Sequence, residues 1–148
     1  MEKKKNISHY VETVFHNKNN LEFSNETILH IDLNKLEHNF NYLKSKKLTG
    51  KYSSFTIAGA AIGVTHKKFK KWHLTFWDNL ETSIKLHNIK KLIVINHKDC
   101  GAAKIVNKQK KFNSLIEKKI KKKSYKNIKK TLKKKHPNLK ISFKILSI

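Results

Sequence analysis

Arginine is absent from the 148 residues, and cysteine, proline and glycine are scarce, at one, one and four. All 34 basic side chains are therefore lysine, a hydrated point charge without the bidentate guanidinium fork. Base-specific reading of a duplex leans on that fork and is disfavoured here. The single cysteine, Cys100, excludes an internal disulfide. One proline, Pro137, and four dispersed glycines make no Pro/Gly-rich linker, so the chain reads as a single domain over 1–148. No apolar run approaches the ~20 residues that span a bilayer. No apolar segment follows the charged start Met1-Glu2-Lys3-Lys4-Lys5-Asn6, so it does not read as a secretory signal. These absences point to a reducing, cytoplasmic setting with no membrane partner. Acidic residues are also few, ten against the lysines, which leaves a net charge of +24 and a loose attraction for polyanions.

What is present alternates between two periodicities. Residues 1–25 are polar except for Ile7, Tyr10, Val11, Val14 and Phe15, a spacing that predicts a short N-terminal helical arm on the core. Thr27 to Ile31 reads as a first strand, and Asp32 to Lys47 as a helix carrying Leu36, Phe40 and Leu43. A turn at Leu48-Thr49-Gly50-Lys51 precedes a second strand, Ser54 to Ile57, and a small-residue loop, Ala58 to Gly63. A helix from Trp72 to Asn88 places Phe76, Trp77, Leu80 and Ile84 on one face. The third strand, Lys91 to Asn96, is the most apolar stretch, and a further helix begins at Cys100-Gly101.

Residues 108–135 hold 14 lysines and one acid, Glu117, yet Ile116, Ile120, Ile128 and Leu132 recur at multiples of four. That recurrence predicts a lysine-rich amphipathic helix with a solvated face. Leu139 to Leu146 alternates and reads as a last strand. Strands alternating with helices give an α/β fold, a mainly parallel central sheet of about four strands flanked by helices. Ligands bind such sheets outside the carboxyl ends of the strands. His30 to Asn34, Ala58 to Gly63 and His97 to Gly101 all fall there.

The chemistry concentrates in His97-Lys98-Asp99-Cys100-Gly101. An imidazole and a thiol three residues apart, at a strand-to-helix turn, can both reach one zinc ion. Helix onset also favours the thiolate. A buried structural cysteine and a surface histidine are the plainer alternatives, because His-x-x-Cys alone is unspecific.

Leu92-Ile93-Val94-Ile95-Asn96-His97-Lys98-Asp99-Cys100-Gly101-Ala102 resembles the second metal motif of beta-class carbonic anhydrases, a strand followed by His-x-x-Cys-Gly. Ile57-Ala58-Gly59-Ala60 resembles the loop after their second strand. The stretch from Leu48-Thr49-Gly50-Lys51-Tyr52 through Asn79-Leu80 to Cys100-Gly101 is similar to a compact carbonic-anhydrase-like group. The resemblance covers residues 27–107, with His136-Pro137-Asn138-Leu139 as the last helix-to-strand junction.

It implies a zinc cofactor, hydration of carbon dioxide to bicarbonate by zinc-bound hydroxide, and a homodimer. The family's first motif, Cys-x-Asp-x-Arg, corresponds to His30-Ile31-Asp32-Leu33-Asn34. The implied ligands are then His30, His97 and Cys100, with Asp32 as the catalytic carboxylate that orients the hydroxide. Asn34, Gly59, Asp99 and Gly101 are the pocket residues. One thiolate fewer than in the family pattern leaves more positive charge on the metal. Asn34 in place of arginine loosens the hold on Asp32, which would then tend to close the site as a fourth ligand. The alternatives are accordingly an inactive zinc-binding or structural homologue, and a lysine-rich protein that binds polyanions or nucleic acid. For the last, only Phe112 and Tyr125 interrupt the lysine run as stacking platforms. His66, His73 and His87 are candidates for a proton shuttle or an extra ligand, with His87 more plainly a solvated histidine near a helix end, and Trp72, Phe76 and Trp77 wall the pocket or a subunit seam or belong to the core.

Overall fold

Six of the seven residues of the strand Lys91–His97 are buried, the pattern of a strand with neighbours on both edges and helices over both faces. In the computed structural model, which describes residues 26–30 and 36–147, this is the third of four strands. They are β1 (Glu26–His30), β2 (Tyr52–Thr56), β3 (Lys91–His97) and β4 (Lys140–Leu146), in the spatial order β2-β1-β3-β4. Every pairing is parallel, with Glu26 opposite Tyr52 and Lys91, and Lys91 opposite Lys140. The helices are α1 (Leu36–Ser45), α2 (Ala61–Thr65), α3 (Lys70–His87), α4 (Gly101–Val106) and α5 (Ser114–Lys135), with a 3₁₀ turn at Lys67–Phe69. The chain is thus a mixed α/β domain, as its periodicities imply. The N-terminal arm expected over 1–25 lies outside the described residues, as do Asp32 and Asn34.

Alternation along β3 divides the core into two layers. Leu92 and Val94 face Phe76 and Leu80 of α3, Ala61 and Val64 of α2, and Ile128 and Leu132 of α5. Phe55, Ile141 and Phe143 extend that layer from β2 and β4. Ile93 and Ile95 face the other way, onto Leu43 of α1, with Tyr42, Leu48, Tyr52 and Leu146 around them. A third cluster, Ile62, Cys100, Ala102, Ala103 and Val106, joins α2 to α4 beside Phe112 and Ile120.

Local chemistry sets the element ends. Helix α1 stops at Ser45, two residues short of the expected Lys47. Lys47 takes a left-handed φ of 58°, and the amides of Leu48 and Lys47 donate to the carbonyls of Leu43 and Lys44. This is a Schellman closure, with the accompanying Leu48–Leu43 apolar contact. Helix α3 ends at a left-handed Asn88, φ 52°, a conformation asparagine tolerates better than most residues.

The lysine run does fold as a helix, but its buried stripe is displaced from the expected one. Glu117, Lys121, Ser124, Ile128 and Leu132 are the buried positions, whereas Ile116 and Ile120 sit at the margin. Ten of its eleven lysines are exposed, and Lys121 is the exception. Among the described residues no helix is long and apolar enough to cross a membrane.

Candidate metal centre at the carboxyl end of the sheet

The strand order creates one topological switch. From β1 the chain goes through α1 to β2, and α1 packs on the Ile93/Ile95 face. From β3 it goes through α4 and α5 to β4 on the opposite edge, and α5 packs on the Leu92/Val94 face. The two connections diverge between β1 and β3, the position at which open α/β sheets bind ligands beyond the carboxyl ends of their strands. His30 is the last residue of β1 and His97 the last of β3. Both histidines therefore stand at the same end of adjacent strands.

His97 is buried, 6% exposed, and alternation assigns it to the Ile93/Ile95 face. Its Nδ1 lies 2.6 Å from the carbonyl oxygen of Lys98. A carbonyl only accepts, so Nδ1 carries a proton. Metal-bound histidines are oriented in the same way by an outer acceptor. Asp99 then turns the chain with a left-handed φ of 56°. Its carboxylate is mostly exposed and pairs with Lys104 at 2.6 Å.

Cys100 is the N-cap of α4, with no side-chain cap hydrogen bond, and is 1% exposed among Ile62, Ala102, Ala103 and Val106. Those neighbours suit a packed thiol, and a thiolate there would need a cation against it. Gly101, the first residue of α4, is exposed.

The turn after β2 closes the other side. Gly59 has φ 77°, and a Cβ there would lie 2.6 Å from the Ala102 Cβ. Its hydrogen side chain lets this turn rest directly on α4. A Cβ on Gly63 would lie 2.1 Å from the Ala58 carbonyl oxygen. Ala60, fully buried, adopts φ 46° and ψ −110°, a conformation alanine avoids and one that fold constraints must hold.

Four buried or half-buried polar positions around this turn carry no role in the sequence motifs. Asn96 sits on the α5 side of β3, where its Nδ2 donates to the Gly59 carbonyl and its Oδ1 accepts from the Tyr125 hydroxyl, both at 3.1 Å. Tyr125 stacks on Phe143 with ring centres 4.3 Å apart, and burial pushes its hydroxyl above the ordinary range. Glu117 and Lys121 are the other two. Glu117 Oε1 accepts from the Cys100 amide at 2.8 Å and from Lys121 Nζ at 2.6 Å. Its Oε2 accepts from the Asp99 amide at 3.2 Å, and Lys121 Nζ also donates to the His97 carbonyl. Burial alone would raise the Glu117 carboxyl, but the Lys121 ammonium and the two amides outweigh it and hold the group below its ordinary value. The signals were a lone amide in an apolar strand and a lone acid among lysines.

As a zinc site, the described residues supply two suitable donors on one turn, an imidazole nitrogen and a thiol sulfur. Among the described residues no three histidine, cysteine, aspartate or glutamate side chains form a group able to hold a metal ion. The resemblance would draw the further ligand from the His30–Asn34 stretch, most of which lies outside the described residues. Two clefts lie elsewhere, between α5 and the α2–α3 segment. One, of about 250 Å³, is lined by His66, Lys67, Lys123 and Ser124, and the other, of about 680 Å³, by His73, Trp77, Lys130 and Lys134. Neither includes His97 or Cys100.

No family model matches the chain, and no solved structure matches it. Two curated proteins are similar. One, an uncharacterized protein of Rickettsia conorii, is 27% identical over 84 residues, which is 57% of this chain and 45% of that protein. The other, an uncharacterized protein of Rickettsia bellii, is 28% identical over 74 residues, 50% of this chain and 45% of that protein. The matched stretch thus spans less than half the length of either relative.

Proposed function

We propose that the chain is a zinc-binding, carbonic-anhydrase-like protein whose metal sits at the carboxyl ends of β1 and β3. The observation that carries this reading is the coincidence of the topological switch with strands ending in His30 and His97, the latter followed by Cys100 at the start of α4. In it, His30, His97 and Cys100 would hold the ion, which would supply Lewis-acid activation of water near neutral pH. Asp32 would orient that water toward carbon dioxide. The Lys98 carbonyl keeps the His97 proton on Nδ1, and Gly59 lets the β2–α2 turn approach α4. By the same resemblance the protein forms a homodimer. Sedimentation equilibrium tests the dimer.

Stopped-flow carbon dioxide hydration on metal-quantified protein tests the activity. Hydration above background that disappears with His97→Ala supports it. Zinc-loaded protein at the background rate would mark the site as closed and structural. In that case Asn34→Arg should raise the rate, because a cation beside Asp32 would hold the carboxylate off the metal.

A second reading, polyanion binding, draws on the lysine-lined clefts. Burial, then Lys123, Lys67, Lys108 and Lys68, hold the His66 imidazole below its ordinary value, the mark of a positive field. Against it, Tyr125 is engaged with Asn96 and Phe143, and Phe112 packs beside Ala103 and Val106. Neither aromatic offers a ring for base stacking. Binding of single-stranded DNA that falls steeply with salt and survives Cys100→Ala would favour this second reading.

A further inference from the structure

We infer that Glu117 and Lys121 of α5 are positioning residues that set the His97–Cys100 turn, and through it the two candidate ligands, by gripping only backbone atoms. The inference rests on the zinc reading for its consequence, though not for its geometry. The contacts fall on three successive points of the turn. Lys121 Nζ donates to the carbonyl of His97, while Glu117 accepts from the amides of Asp99 and Cys100. The two side chains close on each other at 2.6 Å and are 3% and 8% exposed. The turn is therefore held on both sides of its left-handed residue, Asp99.

Burying a charge pair seldom gains stability over packing apolar residues of the same size. Here Ile128 and Leu132, farther along the stripe, show that α5 can pack apolar side chains against the core. Apolar residues at 117 and 121 would, however, strip these partners from two amides and a carbonyl. The pair answers that specific need, and both of its members are spent on the one turn that carries an imidazole and a thiol. Outer partners of this kind commonly change metal affinity by 10–100-fold when removed.

The test uses the full chain and three readouts. Cobalt(II) affinity is measured by competition with a chelator for the unmutated protein, Glu117→Gln and Lys121→Met. The rate of Cys100 modification by a thiol reagent is measured on the metal-free proteins. Amide exchange of Asp99 and Cys100 is measured on the unmutated protein. The expected result is a cobalt affinity lower by ~10-fold or more in each variant, with faster thiol modification. Circular dichroism of the variants should keep the helix content. Both amides should also exchange as slowly as those of β3. Unchanged affinity and unchanged thiol rates in folded variants would overturn the inference. So would fast exchange of the two amides, a reading that needs no variant to fold. If the unmutated protein takes up no cobalt, the zinc reading fails, and the thiol and exchange measurements still decide the grip.

Discussion

Glu117 and Lys121 stand one helical turn apart on α5, and their buried contact at 2.6 Å is directed at the backbone that joins β3 to α4. This lysine-rich helix thus directs its one acid and its one buried lysine to the turn that bears His97 and Cys100.

Truncating the acid should cost more than truncating the base. Glu117→Leu leaves an ammonium and two amides buried without this acceptor, a loss of about 3–5 kcal/mol. Lys121→Met leaves the carboxylate with its two amide donors and should cost less. Urea unfolding of the two variants beside the parent checks the order.

Acid should weaken the same contact. The native carboxyl of Glu117 lies below its ordinary value of 4.5. Its contribution is therefore complete above pH 4.5 and is lost as pH falls through the lower native value. Unfolding midpoints from pH 6 down to pH 3 should drop more steeply for the parent than for Glu117→Gln. Glu81 is also held low, by Lys85, but that pair is exposed, so running the series at high salt screens it.

The glycines of the β2–α2 turn should not tolerate a methyl group. Gly59→Ala forces a left-handed alanine against the Ala102 Cβ, and Gly63→Ala drives a Cβ into the Ala58 carbonyl. Each should destabilise by about 2 kcal/mol or more. Gly101→Ala meets nothing within 4 Å and should leave the melting temperature within a few degrees of the parent. Thermal melts of the three variants separate these cases.

Removing one hydroxyl should loosen the bracing of β3. Tyr125→Phe leaves Asn96 Oδ1 without that donor, at about 1–2 kcal/mol. Because burial raises the Tyr125 hydroxyl above its ordinary value of 10, its contribution is intact below pH 10 and fades as pH rises further. Burial also raises the Tyr52 hydroxyl, so alkaline absorbance titration should show one late-titrating tyrosine fewer in the variant than in the parent.

Much of the fold is legible in local pattern. The near-continuous run Leu92–Ile95 announces a strand covered on both faces, and Phe76, Leu80 and Ile84 announce the face of α3. His97 and Cys100 are legible because a strand-to-helix turn brings imidazole and thiol within three residues. Glu117 and Lys121 are not, because periodicity finds the apolar stripe of a helix and treats charge as its solvent side. The burial of these two is decided 17 to 24 residues away, by backbone groups of the β3–α4 turn that need partners. Asn96 escaped for the same reason, since its partners are Gly59 and Tyr125.

The most direct test of the account is the zinc content of chain purified without chelators, compared with His97→Ala and Cys100→Ala. A metal centre at the end of β3 predicts about one zinc per chain in the parent and nearly none in either variant. A parent free of zinc after exposure to the metal, or variants that keep it, would contradict the account.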